Sequence, residues 1–161
     1  MPLNPLAKAV NIKRSLEYYI NLNLDVSESL KIEYEGVPFD SMAVTEWLTP
    51  RILDSNPVFV RQSSNTDYGE NVNLLFQTNI HVKKSSITTS DRHYVLRDII
   101  VDYFKIGKGI DISDWAGGSG TYTGEHLKVR NIVNDSLLPE TDTTYEYILA
   151  FELTYTRSTT K

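Results

Sequence analysis

The segment Asn71–Lys84, NVNLLFQTNIHVKK, constrains this chain more than any other. Val72, Leu74, Phe76, Thr78, Ile80 and Val82 recur at every second position, and Asn71, Asn73, Leu75, Gln77, Asn79, His81 and Lys83 fill the alternate ones. Successive side chains of a strand point to opposite sides of a sheet, so this is a half-buried strand. Its second face is rich in amides rather than charges, which suits water or a polar protein surface. A closing segment, Thr144–Arg157, repeats the pattern. Tyr145, Tyr147, Leu149, Phe151, Leu153 and Tyr155 fall on one side, with Glu146, Ile148, Ala150, Glu152, Thr154 and Thr156 on the other.

Between and before these lie weaker signals. Asn4-Pro5 is a helix-opening pair, because Asn accepts from free first-turn N–H groups and Pro at the first helical position loses no bond. The following residues predict a first helix over about 5–22, with Leu6, Ala9, Val10, Leu16, Tyr19 and Ile20 as its apolar stripe. Lys8, Asn11, Arg14 and Asn21 would lie on its far face. Ser29–Glu35 alternates as a strand, and Gly36-Val37-Pro38-Phe39-Asp40 is a turn. Glu46–Leu53 is a strand in which Pro50 demands an edge position or a bulge, since proline cannot donate to a ladder. Pro57–Gln62 is another short strand. Leu96, Ile99, Ile100, Tyr103 and Phe104, spaced by three and four, predict a second helix over about 91–105, with Asp91 favourably placed in its first turn. Lys128–Asn134 is a strand. Gly107–Gly124, rich in glycine, is expected to be a long flexible loop, ordering on a neighbouring subunit.

These parts lack a regular strand–helix alternation. They predict one α+β domain over residues 1–161, a mainly antiparallel sheet with two principal helices packed on one face. A chain of 161 residues suits a single domain. Folding at this size buries about 70% of the unfolded chain's surface.

Few chemistries are supported. The absence of cysteine excludes a disulfide framework, thiolate catalysis and a cysteine zinc site. His81, His93 and His126 lack the i, i+4 spacing of a helical zinc motif and read as ordinary surface histidines. No G-x-S-x-G elbow is present. Glu33 and Glu35 share one strand face, where a solvated pair outweighs an acid–base pair. Gly117-Gly118-Ser119-Gly120 lacks the Lys-Ser/Thr ending and following helix of a phosphate loop, and Asp111 and Asp114 would repel an anion. No catalytic, cofactor or metal site is expected. A net charge of −5 without a basic stripe argues against a free-standing DNA-binding domain. The opening residues lack a secretory hydrophobic core, and no apolar run approaches the ~20 residues of a membrane span. A soluble intracellular protein is expected. Aromatics in polar stretches, Tyr68, Trp115 and Tyr122, are the candidate interface residues.

The order of these parts, over Pro5–Arg157, resembles the tail terminator proteins of long-tailed bacteriophages (siphophages). An opening helix leads to a strand and the GVPF turn. The tryptophan-bearing EWLTPRIL strand follows, then the long alternating strand, one amphipathic helix, a long loop and two closing strands. The resemblance implies a small α+β subunit forming a homohexameric ring at the head-proximal end of the virion tail. Its partners would be the tail tube protein and the head connector, with DNA only as passing cargo and no membrane. It carries over no catalytic residue. Two other readings remain open: a hot-dog-like thioesterase or ligand-binding domain, with Asp91 and His93 at a helix start as its polar groups, and a head-completion or neck protein.

Overall fold

The computed structural model of the protein describes residues 6–62, 67–86, 89–139 and 141–160, with side chains described except at 56–62, 67–68 and 158–160. Its secondary structure runs α1 (Ala9–Ile20), a π-helical turn (Asn21–Val26), β1 (Lys31–Ile32), β2 (Glu46–Gln62), β3 (Asp67–Lys83), α2 (Arg92–Tyr103), β4 (Gly109–Asp114), β5 (Thr121–Leu137) and β6 (Thr144–Thr160). One six-stranded sheet has the order β1-β2-β3-β6-β5-β4. Only the two-residue β1 runs parallel to its neighbour; every other pair is antiparallel. The α+β architecture expected from the sequence is the observed one.

The two strongly alternating segments are the two central strands. They pair in register along their whole length, which brings apolar side chains opposite each other: Val72 faces Tyr155, Leu74 faces Leu153, Phe76 faces Phe151, Ile80 faces Tyr147 and Val82 faces Tyr145. Val72, Ile80, Val82, Leu149, Phe151 and Leu153 are completely buried. α2 lies across this face. Its buried residues His93, Leu96 and Ile100 are followed by Phe104, whose ring stacks on both Phe76 and Phe151, with centroids 5.3 and 5.1 Å away. The spacing of the apolar residues on α2 thus identified the covering face correctly.

Other expectations need correction. Residues 4 and 5 lie outside the described part. The first helix starts at Ala9 and buries a different stripe: Asn11, Ile12, Ser15, Leu16 and Ile20. Val10 is half-exposed and Leu6 is on the surface, whereas Asn11, expected on the far face, is buried. The stripe is rotated because it meets the β4 hairpin, whose Ser113 and Trp115 N–H groups Ser15 and Asn11 satisfy. Glu46–Leu53 and Pro57–Gln62 are one continuous strand with register shifts at Ile52/Asp54 and Phe59/Arg61. The bulge after Ile52 lets Pro57 share the strand with Pro50.

Ladder geometry explains why those prolines are tolerated. The Leu48 carbonyl accepts from the Glu33 N–H at 2.8 Å, so the Leu48 backbone points away from β3. Alternation carries Pro50 to that same outer side, and the bulge after Ile52 resets the count so that Pro57 also faces outward. Neither missing N–H removes a ladder bond, and both blunt the free edge of β2.

The glycine-rich stretch is also corrected. Gly107–Gly124 is a hairpin, with β4 at Gly109–Asp114, a turn, and the start of β5 at Thr121. Ile110 and Ile112 are buried in the core, so the period-two pattern GIDIS outweighs the glycine content.

The central aromatic layer gives a direct stability test. Phe76→Ala or Phe151→Ala should lower unfolding free energy by about 3–5 kcal/mol in urea melts, because both rings are buried and stacked. A loss below about 1 kcal/mol would mean that the two strands do not form the core.

Candidate assembly surface

One face of the sheet carries α1 and α2; among the described residues the other is formed mostly by strand side chains, with Phe39 and the short 3-10 turn Ser41–Ala43 against its Trp47–Lys83 end. On that second face β3 presents Asn73, Leu75, Gln77, Asn79 and His81, β6 presents Glu146, Ile148, Ala150, Glu152 and Thr154, and β2 adds Trp47, Thr49 and Arg51. Most of these are half-buried, because neighbours on adjacent strands cover each other laterally. Ala150 and Thr154 in the central strand are buried.

Hydrogen bonds fix the side chains of this face. Gln77 Nε2 donates to Asn79 Oδ1 at 2.8 Å, and Asn79 Nδ2 donates to Glu146 Oε1 at 2.8 Å. His81 Nε2 lies 3.0 Å from Thr49 Oγ1, which donates to Glu33 Oε2 at 3.3 Å. The Trp47 indole stacks on the His81 ring, 4.7 Å between centroids and 10° from parallel. Arg130 Nε donates to Thr154 Oγ1 at 2.8 Å. A partner docking on these hydrogen-bonded groups meets side chains with little rotamer freedom left to lose, which lowers the entropic cost of association. At one end the face opens into a recess of about 560 Å³ lined by Met42, Trp47, Lys83 and Thr144. Met42 is 83% exposed there, and Lys83 Nζ donates to the Ser41 and Met42 carbonyls at 2.6 and 3.1 Å.

The three aromatic interface candidates fall in three different settings. The Tyr68 side chain lies outside the described residues; its backbone pairs with Gln62 and Thr159. Trp115 is turned inward on its own chain. Its indole packs 5.4 Å from Tyr18, its Nε1 donates to Ser15 Oγ at 3.1 Å, and its backbone N–H donates to Asn11 Oδ1 at 3.2 Å. Tyr122 is half-exposed, with its hydroxyl 2.9 Å from His126 Nε2. Of the two whose side chains are described, Trp115 is committed to α1 and Tyr122 to His126.

Two residues that periodicity placed wrongly or passed over, Asn11 and Ser15, hold the hairpin. Ser15 Oγ accepts from the Ser113 N–H at 2.9 Å and from Trp115, while Asn11 Nδ2 reaches Asp114 Oδ1 at 3.2 Å. A small polar pair at i, i+4 was the available signal, but hydropathy reads it as surface.

His93 also departs from the surface position expected of it, whereas His81 and His126 are only part-buried. His93 is buried, stacked 4.7 Å from Tyr145, and its Nδ1 has no hydrogen-bond partner. Burial depresses its basicity, against a weaker opposing pull from Asp91. Burial likewise depresses His81, opposed by Glu146 and Glu33. Asp91 is exposed and accepts from Thr89 Oγ1 at 2.6 Å, so it and the buried His93 do not converge on a shared recess. Glu33 and Glu35 also part company: Glu33 holds Thr49, while Glu35 lies 3.5 Å from Lys13. Among the described residues there is no cluster of three or more His, Cys, Asp or Glu able to hold a metal ion, and no helix long and apolar enough to cross a membrane.

No protein-family model matches this sequence, and no curated protein matches it. A solved structure whose own name describes no activity superposes with a TM-score of 0.60, over 92% of this chain and 96% of that one, at 11% identity. At that identity the likeness is one of fold.

Two experiments address these contacts. Ser15→Ala strips the acceptor from two N–H groups and should cost about 1–3 kcal/mol of stability in chemical denaturation. The second is pH. Both depressed histidines take up protons more readily when unfolded, so their contribution is complete above their ordinary pKa of about 6.5 and is lost as pH falls below it. His93→Phe keeps the ring stack and should flatten the loss of stability between about pH 7 and pH 5. An unchanged slope would place the pH dependence elsewhere.

Proposed function

We propose that this protein is a ring-forming tail terminator of a long-tailed bacteriophage: it caps the tail tube, stops its polymerisation and offers the surface to which the head connector attaches. The observation that carries this reading is the sheet face opposite α1 and α2 with its hydrogen-bonded polar network, a broad surface suited to binding protein. The two sheet edges differ in character, which suits a head-to-tail interface, since such an interface closes into a ring when its rotation divides the circle. The order of elements adds the family resemblance. In this reading six copies surround the exit path of the DNA, and a subunit of net charge −5 does not grip the passing phosphates. The ring sits at the head-proximal end of the tail after synthesis in the host cytoplasm. The tube acts as template, because neighbours aligned on it meet at high effective concentration. We therefore expect the free protein to populate monomer as well as ring.

Deleting the gene tests the assignment. Lysates should contain full heads with over-long tails, or tails that fail to join heads, in electron micrographs. Normal-length tails joined to heads would refute it. Normal-length tails beside empty, leaking heads would instead place the protein in the neck.

A further inference from the structure

The second edge of the sheet, β4, is built unlike the proline-blunted β2. Lys108 O accepts from the Val129 N–H at 2.9 Å and Ile112 O accepts from Thr123 Oγ1 at 2.8 Å, so these even positions face β5. The odd positions Gly109, Asp111 and Ser113 must then point their N–H and C=O groups off the open edge. Ser15 already satisfies Ser113, accepting from its N–H and approaching its carbonyl at 3.4 Å. Gly109 and Asp111 are exposed, and no proline guards them.

Beside these free groups lies a recess of about 280 Å³ between α1 and β4, lined by Ser15, Tyr18, Tyr19, Leu22, Gly109 and Trp115 among others. Tyr18 and Leu22 are 56% and 47% exposed, so the helix offers an apolar wall along the open edge. Ser15 and Trp115 close one end. At the other end stands exposed Lys108, whose ammonium lies 6.0 Å from the Tyr19 ring and makes no ion pair among the described residues.

We propose that this groove takes a short extended segment of a partner protein as an added strand on β4. A helix wall beside an open strand edge offers main-chain bonds for affinity and a pocket for alternate side chains. The segment would exchange backbone hydrogen bonds with Gly109 and Asp111 and set an aliphatic side chain against Tyr18 and Leu22. It cannot run past Ser113, whose edge is taken, so it extends out of the mouth beside Lys108. Charge complementarity there calls for an acidic side chain. The β2 edge is excluded as an equivalent site because Pro50 and Pro57 lack the donors a new strand needs.

Two synthetic peptides, acetyl-Glu-Val-Thr-Leu-Thr-amide and its reversed-order isomer, cover both strand directions. With the full chain, one of them at millimolar concentration should slow amide exchange of Gly109 and Asp111 about tenfold, the signature of new backbone hydrogen bonds. A backbone N-methylated version should not. Gly109→Pro removes an outward donor without touching the β5 ladder, and should abolish the protection of Asp111. Lys108→Glu leaves the edge intact and should weaken binding about tenfold, a loss of one charge-assisted contact. The proposal is overturned if neither peptide protects these amides, if the N-methylated peptide binds equally well, or if Lys108→Glu and Gly109→Pro both bind as the parent does.

Discussion

The structure depends on one pairing, β3 against β6. Along it every second residue of each strand is apolar, and the register sets those residues opposite one another from Val72–Tyr155 to Val82–Tyr145. A slip by one residue would send Phe76, Ile80 and Val82 to the amide-rich face and bury Asn73, Gln77 and Asn79 instead, which makes the register nearly unique. Phe104 then fixes α2 by stacking on the Phe76 and Phe151 rings, and aromatic contacts of this kind add to the area they bury. β2 and β5 extend the sheet on either side of this pair.

The outer elements are held by different means. β1 is short and parallel, attached to β2 by two residue pairs and the Glu33–Leu48 bond. The β4 hairpin is held from both sides: Ile110 and Ile112 enter the core, while Asn11 and Ser15 of α1 clasp the backbone from Ser113 to Trp115. The clasp brings α1 to the sheet edge, and the same approach creates the groove beside Gly109. The feature that stabilises the hairpin at one end thus leaves an open strand edge at the other. Edge strands with free N–H groups are aggregation hazards unless covered, so an exposed one beside an apolar wall is notable in a protein that blunts its opposite edge with two prolines.

Three of the four 17-residue strands, β2, β3 and β6, also outrun the helical layer. A strand of 17 residues spans about 55 Å and a helix of 12 about 18 Å. Among the described residues the last β3 side chain of the apolar core, towards the start of the strand, is Val72, yet the backbone of β3 stays paired with β2 as far as Tyr68 and with β6 as far as Asp67. A sheet that is longer than its cover, with the face opposite α1 and α2 largely open, offers more surface than its own core needs. That surplus is what the assembly reading uses.

Sequence by itself determined the central strands, the face that each buries, the helix that covers them and the α+β class. Those features follow from local periodicity, which survives in the order of residues. It also read Pro50 correctly as a matter of edges and bulges. Tertiary structure alone decided the rest. Asn11 and Ser15 are buried because a distant strand presents unsatisfied backbone groups to them, and hydropathy carries no record of that demand. His93 is buried because Tyr145, far along the chain, supplies a ring to stack on. Trp115 turns inward because Tyr18 and Ser15 receive it. The contrast between a blunted and an open sheet edge required the strand order and the phase of each ladder, which no single segment contains.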